Sequence, residues 1–230
     1  MKLDGMKSAA QALRYWEHRQ QVMAHNLANV STPGYKGERA FGVLLQDRTL
    51  ALQTARDPRQ GQLTPTGNPL DVALEGPGYL VVATDAGERL MRGGALRLDA
   101  GGRLVDSAGN PVLGQLGEVV LPQGQISIDT AGNVSVDGRS MDSLRVEAVP
   151  PDVDLNREGA SLYVPDPARA VVPPAERGIK QGFLEESNID HVGSLVDMLT
   201  VQRAFAAVQK TVHVLDGVMD TVVNDLGRPV

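Results

Sequence analysis

The chain has 230 residues, a formal net charge of −6 and a pI near 5.2. It contains no cysteine, which excludes a disulfide framework, a thiolate metal site and a cysteine nucleophile. No block of Lys/Arg stands out, which argues against nucleic acid as a partner, and no apolar run approaches the roughly 18 residues of a membrane span.

Apolar residues make up 42% of the chain and aromatics only 3%, so a core must be built from Val, Leu, Ile, Ala and Met. The length suits one large domain or two small ones. The N-terminal stretch lacks the apolar core of a secretory signal. A protein of this sequence that leaves the cytoplasm is expected to do so by another route.

Three zones differ in pattern. Over residues 3–30, Leu3, Met6, Ala10 and Leu13 recur at spacings of three and four, a helical stripe. Trp16, Met23, Leu27 and Val30 continue it less regularly, beside a wet face of Arg14, Glu17, His18, Arg19, Gln20 and Gln21. The helix should end near Ser31, because Pro33 disfavours helix at Thr32 and Gly34 can turn the chain.

Residues 37–67, with Pro58, Gly61, Pro65 and Gly67, read as an irregular linker. Over 68–150, short apolar segments such as Tyr79–Thr84 alternate with turns. Asp85-Ala86-Gly87, Asp99-Ala100-Gly101, Ser107-Ala108-Gly109 and Thr130-Ala131-Gly132 form a near repeat in which an acceptor side chain precedes Gly by two, a pattern suited to tight hairpins. The spacing leaves no room for crossover helices, so this zone is predicted to be an antiparallel β domain. Residues 151–187, carrying Pro165, Pro167, Pro173 and Pro174, read as an extended return segment.

Over 188–230, Leu195, Met198, Val201, Phe205, Val208, Val212, Leu215, Met219, Val222 and Leu226 are spaced three or four apart. From Val201 the rhythm is that of heptads. Asn188 or Asp190 can cap the start, and Gly227 followed by Pro229 marks the stop. A helix of about 38 residues is about 57 Å long, longer than a small domain is wide. The predicted class is therefore α+β: N- and C-terminal helices pairing into an α-helical, coiled-coil-like rod, with a central antiparallel all-β domain of short strands and hairpins.

Chemistry is sparse. His18, His25, His191 and His213 match no metal-ligand spacing. Asp152-Val153-Asp154-Leu155-Asn156 opens like a calcium loop, but Arg157 stands where Gly is required and Tyr163 where Glu is required. No nucleophile elbow, phosphate loop or dinucleotide fingerprint is present. Glu185-Glu186 reads as an acidic approach to a helix N-terminus. The expectation is a protein that is not an enzyme and needs no catalytic residue, cofactor or metal.

The segment Ala24–Lys36, "AHNLANVSTPGYK", closely resembles the N-terminal signature of bacterial flagellar rod and hook proteins. Gln181–Asp190, "QGFLEESNID", continuing to Met198 and Gln202-Arg203-Ala204-Phe205, resembles the C-terminal signature. Thr66–Gly114 and Ile126–Gly138 resemble the β region shared by the rod and hook subgroup. Two departures are visible: the family usually has Asn where this chain has His25, and an acidic residue where it has Pro77.

The resemblance implies a structural subunit of the flagellar basal-body rod, exported by the flagellar type III apparatus without cleavage of a signal. Such subunits assemble helically in the periplasm as a tubular drive shaft for motility, with terminal helices inside and the β domain outside. The region after the N-terminal signature orders on assembly in this family. The length favours the proximal over the distal rod type. The partners implied are further copies of the chain, other rod proteins, hook-side neighbours and the export apparatus. The candidate subunit interface is Leu3, Met6, Leu13, Asn26, Leu27, Asn29, Val30, Leu195, Met198, Val201, Phe205, Val208, Val212, Leu215, Met219 and Val222. Two rival readings are a β-domain carbohydrate- or peptide-binding module dimerised by its helices, and a hydrolase using a dispersed Asp/Glu pair.

Overall fold

The computed structural model describes residues 2–46, 49–150, 153–159 and 161–226. In chain order its elements are α1 (Lys2–Ala28), β1 (Glu38–Leu44), β2 (Leu50–Arg56), β3 (Leu63–Pro65), β4 (Asp71–Leu74), β5 (Tyr79–Thr84), β6 (Gly87–Met91), β7 (Gly93–Ala95), β8 (Arg97–Leu98), β9 (Leu104–Val105), β10 (Ile126–Ile128), β11 (Asn133–Val136), β12 (Arg139–Ser143), β13 (Val146–Ala148), β14 (Arg157–Glu158), β15 (Leu162–Tyr163), β16 (Ala170–Val171), β17 (Ile179–Gln181), β18 (Phe183–Glu185) and α2 (His191–Leu226). They form two compact units. One takes Met1–Ala28, Glu38–Asp57 and Ile189–Val230; the other takes Asn29–Gly37 and Pro58–Asn188.

In the helical unit α1 packs against α2, and also against β1 and β2, which pair as an antiparallel hairpin from Glu38↔Arg56 to Leu44↔Leu50. The helix α2 starts where Asp190 caps it: its Oδ1 accepts from the Val192 amide at 3.1 Å and its carbonyl from Ser194 at 2.9 Å, as an N-cap should. At 36 residues the helix is about 54 Å long. The stop expected at Gly227 and Pro229 lies outside the described residues.

The expected coiled-coil-like rod is overturned. The chain does have a helix at each end and a β-rich centre. Knobs-into-holes packing, however, needs an apolar a/d seam on both helices, and only α2 carries heptads. Among the described side chains of α1 only Val22 is buried, and Gln11, Arg19 and Gln20 are as half-buried as Leu13 and Trp16. The helix shares its covered surface between α2 and a hairpin drawn from residues 37–67, the segment expected to be irregular.

The β unit is antiparallel throughout. Its largest sheet runs β14-β15-β6-β5-β13-β16, and a second runs β17-β4-β7. The central strand β5 reads "YLVVAT" because both its faces are covered. Leu80 and Val82 enter the main core with Val72, Leu104, Val112, Leu144 and Val146, while Val81 faces Leu90, Leu155 and Tyr163 on the other side. Residues 151–187, expected as an extended return, instead supply strands to the sheets: β15 pairs with β6, β16 with β13, β17 with β4 and β18 with β3.

Three of the four repeated turns share one form, and the turn at Asp85-Ala86-Gly87, which joins β5 to β6 with Gly87 at positive φ, departs from it. Asp99, Asp106 and Asp129 each accept, through Oδ1, the amides two and four residues on. Oδ2 takes the side chain at the fourth: Arg103, Asn110 and Asn133. Each turn is closed by a glycine three residues after the aspartate, Gly102, Gly109 or Gly132, at positive φ. The working acceptor is thus the Asp one place before Ser107 and Thr130, and the unit is Asp-x-x-Gly-Asn/Arg.

Candidate functional site

The helix α2 has two apolar faces. The heptad stripe is its covered side: Val201 is buried, and Met198, Phe205, Val208, Val212 and Leu215 are half-buried. Val201 lies at the middle of that side. At 100° per residue, Val192, Val196, Leu199 and Val214 fall broadly opposite it and Val218 on its flank, and all five are more than half exposed. Leu195, which the sequence placed on the same stripe ahead of the heptads, is also exposed. The sequence signal for this second face was present: Val192, Val196 and Leu199 are spaced four and three apart, as are Val214 and Val218 at four. Beside the longer regular heptads this pattern is short and broken between Leu199 and Val214.

On α1, Met6 is exposed and Leu13 and Leu27 are half-buried. Only the backbones of Leu3, Met219 and Val222 are described. Asn26 is engaged within the chain: its Oδ1 accepts the Glu38 amide at 3.0 Å and its Nδ2 donates to the Glu38 carbonyl at 2.7 Å. His18 lies 3.2 Å from Thr54 Oγ1 on β2. The outer part of the β1–β2 hairpin exposes Phe41, Val43, Leu44 and Leu45.

Asn29 and Val30 fall in the β unit, in the turn after α1. The Thr32 amide donates to the Asn29 carbonyl at 3.0 Å, and the Thr32 hydroxyl to Asn29 Oδ1 at 3.3 Å. Beyond this turn the chain becomes buried: Gly34, Tyr35, Lys36 and Gly37 are all inside. Tyr35 is fully covered, with the Arg157 guanidinium 4.1 Å over its ring, a cation–π arrangement. Arg157 also donates to the Lys36 carbonyl at 2.6 Å.

Glu185, read from sequence as an exposed helix approach, is buried in β18. Its Oε1 accepts from Lys36 Nζ and from the Gly61 amide at 2.9 Å; its Oε2 accepts from Arg92 Nε at 3.1 Å. Arg92 also donates through Nη1 to the Gly78 carbonyl and through Nη2 to the Gly76 carbonyl. A buried carboxylate is tolerable only when so matched. A second charge cluster is nearer the surface. Glu88 and Glu147 alternate with Arg145 and Arg169 in a closed ring of four pairs at 2.6–3.1 Å. The hydrogen bond from Arg145, helped by Arg169, holds the Glu88 carboxyl below its ordinary value. Elsewhere Arg177 is fully buried and donates to the carbonyls of Val172, Ala131 and Leu144 and to the Ser143 hydroxyl; burial pushes its guanidinium down.

Among the described residues no group of three or more His, Cys, Asp or Glu side chains is placed to hold a metal ion. Asp152, the first position of the calcium-like stretch, lies outside them. No described helix is long and apolar enough to cross a membrane. What the helical unit presents is apolar surface: a long helix with one face covered and the other open, and a hairpin with an apolar end.

Two family descriptions match the chain: "Flagellar basal body rod FlgEFG protein C-terminal" over residues 180–226 and "Flagellar hook protein FlgE/F/G D1 domain" over residues 73–136. Among curated proteins, the flagellar basal-body rod protein FlgF of Salmonella typhimurium is 33% identical over 92% of each chain. FlgF of Caulobacter vibrioides is 31% identical over 90% of this chain and 91% of its own. The rod protein FlgG of Agrobacterium fabrum is 28% identical over 90% and 93%. The chain belongs to the flagellar basal-body rod protein family. The C-terminal match begins within β17, at Lys180, and takes in Glu185 and α2.

Proposed function

We propose that this chain is a structural, non-catalytic subunit of the flagellar rod that joins its neighbours through the open face of α2. The observation that carries the reading is the two-sided helix. A helix that is apolar on opposite faces needs two partners, and the fold supplies cover for one. A second copy of the chain, or a related rod subunit, supplies the other. When such a contact is heterologous and repeats with a fixed rotation and rise, it builds a filament rather than a closed ring. Long helices packed side by side make that filament stiff enough to carry torque.

The proximal rod position fits the FlgF name of the Salmonella typhimurium and Caulobacter vibrioides relatives. Export through the flagellar apparatus without a cleaved signal, and a rod lying in the periplasm, complete the proposal.

The absence of cysteine makes the test clean. Val196→Cys and Val214→Cys variants should form disulfide- or bismaleimide-linked oligomers in isolated basal bodies and remain monomeric in dilute purified protein. Cross-linking through Val201→Cys, on the covered face, with none through Val196 or Val214, would overturn the assignment.

A further inference from the structure

The chain passes between its two units four times: after Ala28, Gly37, Asp57 and Asn188. Three of the four flanking segments in the β unit are tied to one another. The Gly34 amide donates to the Glu185 carbonyl at 2.6 Å, and the Asn188 amide to the Tyr35 carbonyl at 3.4 Å. The Gly37 amide donates to Asn188 Oδ1 at 2.8 Å, and Asn188 Nδ2 to the Arg59 carbonyl at 2.9 Å. The same Arg59 carbonyl takes Lys36 Nζ at 2.8 Å, and the Glu186 amide reaches the Gln62 carbonyl at 2.8 Å. At the centre lies Glu185, holding Lys36, Arg92 and the Gly61 amide. Gly61 has no room for a side chain, since a Cβ there would lie 1.9 Å from the Glu186 carbonyl oxygen.

We infer that residues 34–37, 59–62 and 185–188 form a clasp that opens as one cooperative unit, with the Glu185 carboxylate as its keystone and Arg92 as its anchor in the β core. The argument is electrostatic. The three segments meet through hydrogen bonds that run between them rather than within strands of the large sheets. Two buried cations converge on one carboxylate: departure of 185–188 strands Lys36 and Arg92 together, departure of 34–37 strips Glu185 of Lys36, and departure of 59–62 strips it of the Gly61 amide. Local openings of this kind are drawn from regions with their own bonding network. The inference extends the rod reading only in purpose: in a loaded shaft the clasp sets where a subunit yields, because any tension in the chain that reaches the β unit from the terminal helices or the hairpin passes through it. Its test does not depend on rod assembly.

That test is native-state hydrogen exchange on the full-length monomer. In wild-type protein at low denaturant, the amides of Gly34, Gly37, Gly61, Glu186 and Asn188 should merge on one opening isotherm, lying below that of core amides such as Leu104, Val112 and Leu113. Glu185→Gln should speed the clasp amides together by about 100-fold or more, with the core amides unchanged. Lys36→Gln, which keeps the Glu185–Arg92 pair, should do the same to a smaller degree and serves if the Glu185 variant does not fold. Clasp amides that exchange one by one, or only with the core, overturn the inference. So does a Glu185→Gln variant whose clasp amides exchange at the wild-type rate.

Discussion

Asn26, near the end of α1, holds both backbone polar groups of Glu38, the first residue of β1. The amide side chain thus does for the hairpin what a neighbouring strand would do, and it fixes the start of the hairpin to the helix. Asn26→Ala should destabilise the helical unit by about 1–3 kcal/mol, the range for two partly buried hydrogen bonds. Trp16, the single tryptophan and part of α1, reports on it. Urea melts followed by its fluorescence should shift to lower midpoint, and an unchanged midpoint would show that water replaces the asparagine without loss.

The two faces of α2 should respond oppositely to charge. Val201→Asp buries an unpaired carboxylate and should cost the monomer at least about 2 kcal/mol. Val196→Asp and Val214→Asp change surface positions and should leave monomer stability within about 0.5 kcal/mol, yet prevent incorporation into the rod. Circular dichroism melts and swimming in soft agar separate the two effects. Normal swimming by both surface variants would remove the open face from the account.

Much of this was legible in sequence, and the misses have physical causes. Heptads gave α2, and Asp190, one of two cap candidates, caps it, while the Asn188 side chain bonds Gly37 and Arg59 instead. Alternating apolar segments gave an antiparallel β domain. The hairpin of β1 and β2 was missed because Glu38–Leu44 and Leu50–Arg56 carry little strict alternation and take much of their cover from α1. The strands after residue 151 were missed because short runs between prolines carry no period; they pair because older strands offer them edges. Glu185 was misjudged because a carboxylate beside a helix start is usually wet, and its partners Lys36 and Arg92 lie 149 and 93 residues away in the chain.

The Glu88 ring predicts an acid-side signature. Hydrogen bonding to Arg145 lowers the Glu88 carboxyl below its ordinary 4.5 in the folded chain. A lowered acid contributes stability that is present above the unfolded value and lost as pH falls through the folded one. The stability difference between wild type and Glu88→Gln should therefore be constant near neutrality and shrink as pH drops below about 4.5. Denaturant midpoints measured from pH 7 to pH 3 check this, and a gap that persists unchanged to pH 3 would contradict it.

The three Asp-centred turns rank by burial. Asp106 is buried and Asp129 exposed, and half-buried Asp99 is still open enough for water to replace lost partners. Asp106→Ala should cost about 2–3 kcal/mol by leaving the Ala108 and Asn110 amides without their acceptor. Asp99→Ala should cost about 1 kcal/mol or less. Equal losses in thermal melts would mean that the turns are held by their glycines alone.

The central claim, that this chain is a building block of the flagellar rod, is tested most directly by deleting its gene and imaging isolated basal bodies by electron microscopy. The account predicts cells that do not swim and basal bodies whose rods are missing or cut short, both restored by the wild-type gene. A deletion strain that swims normally on intact rods would contradict it.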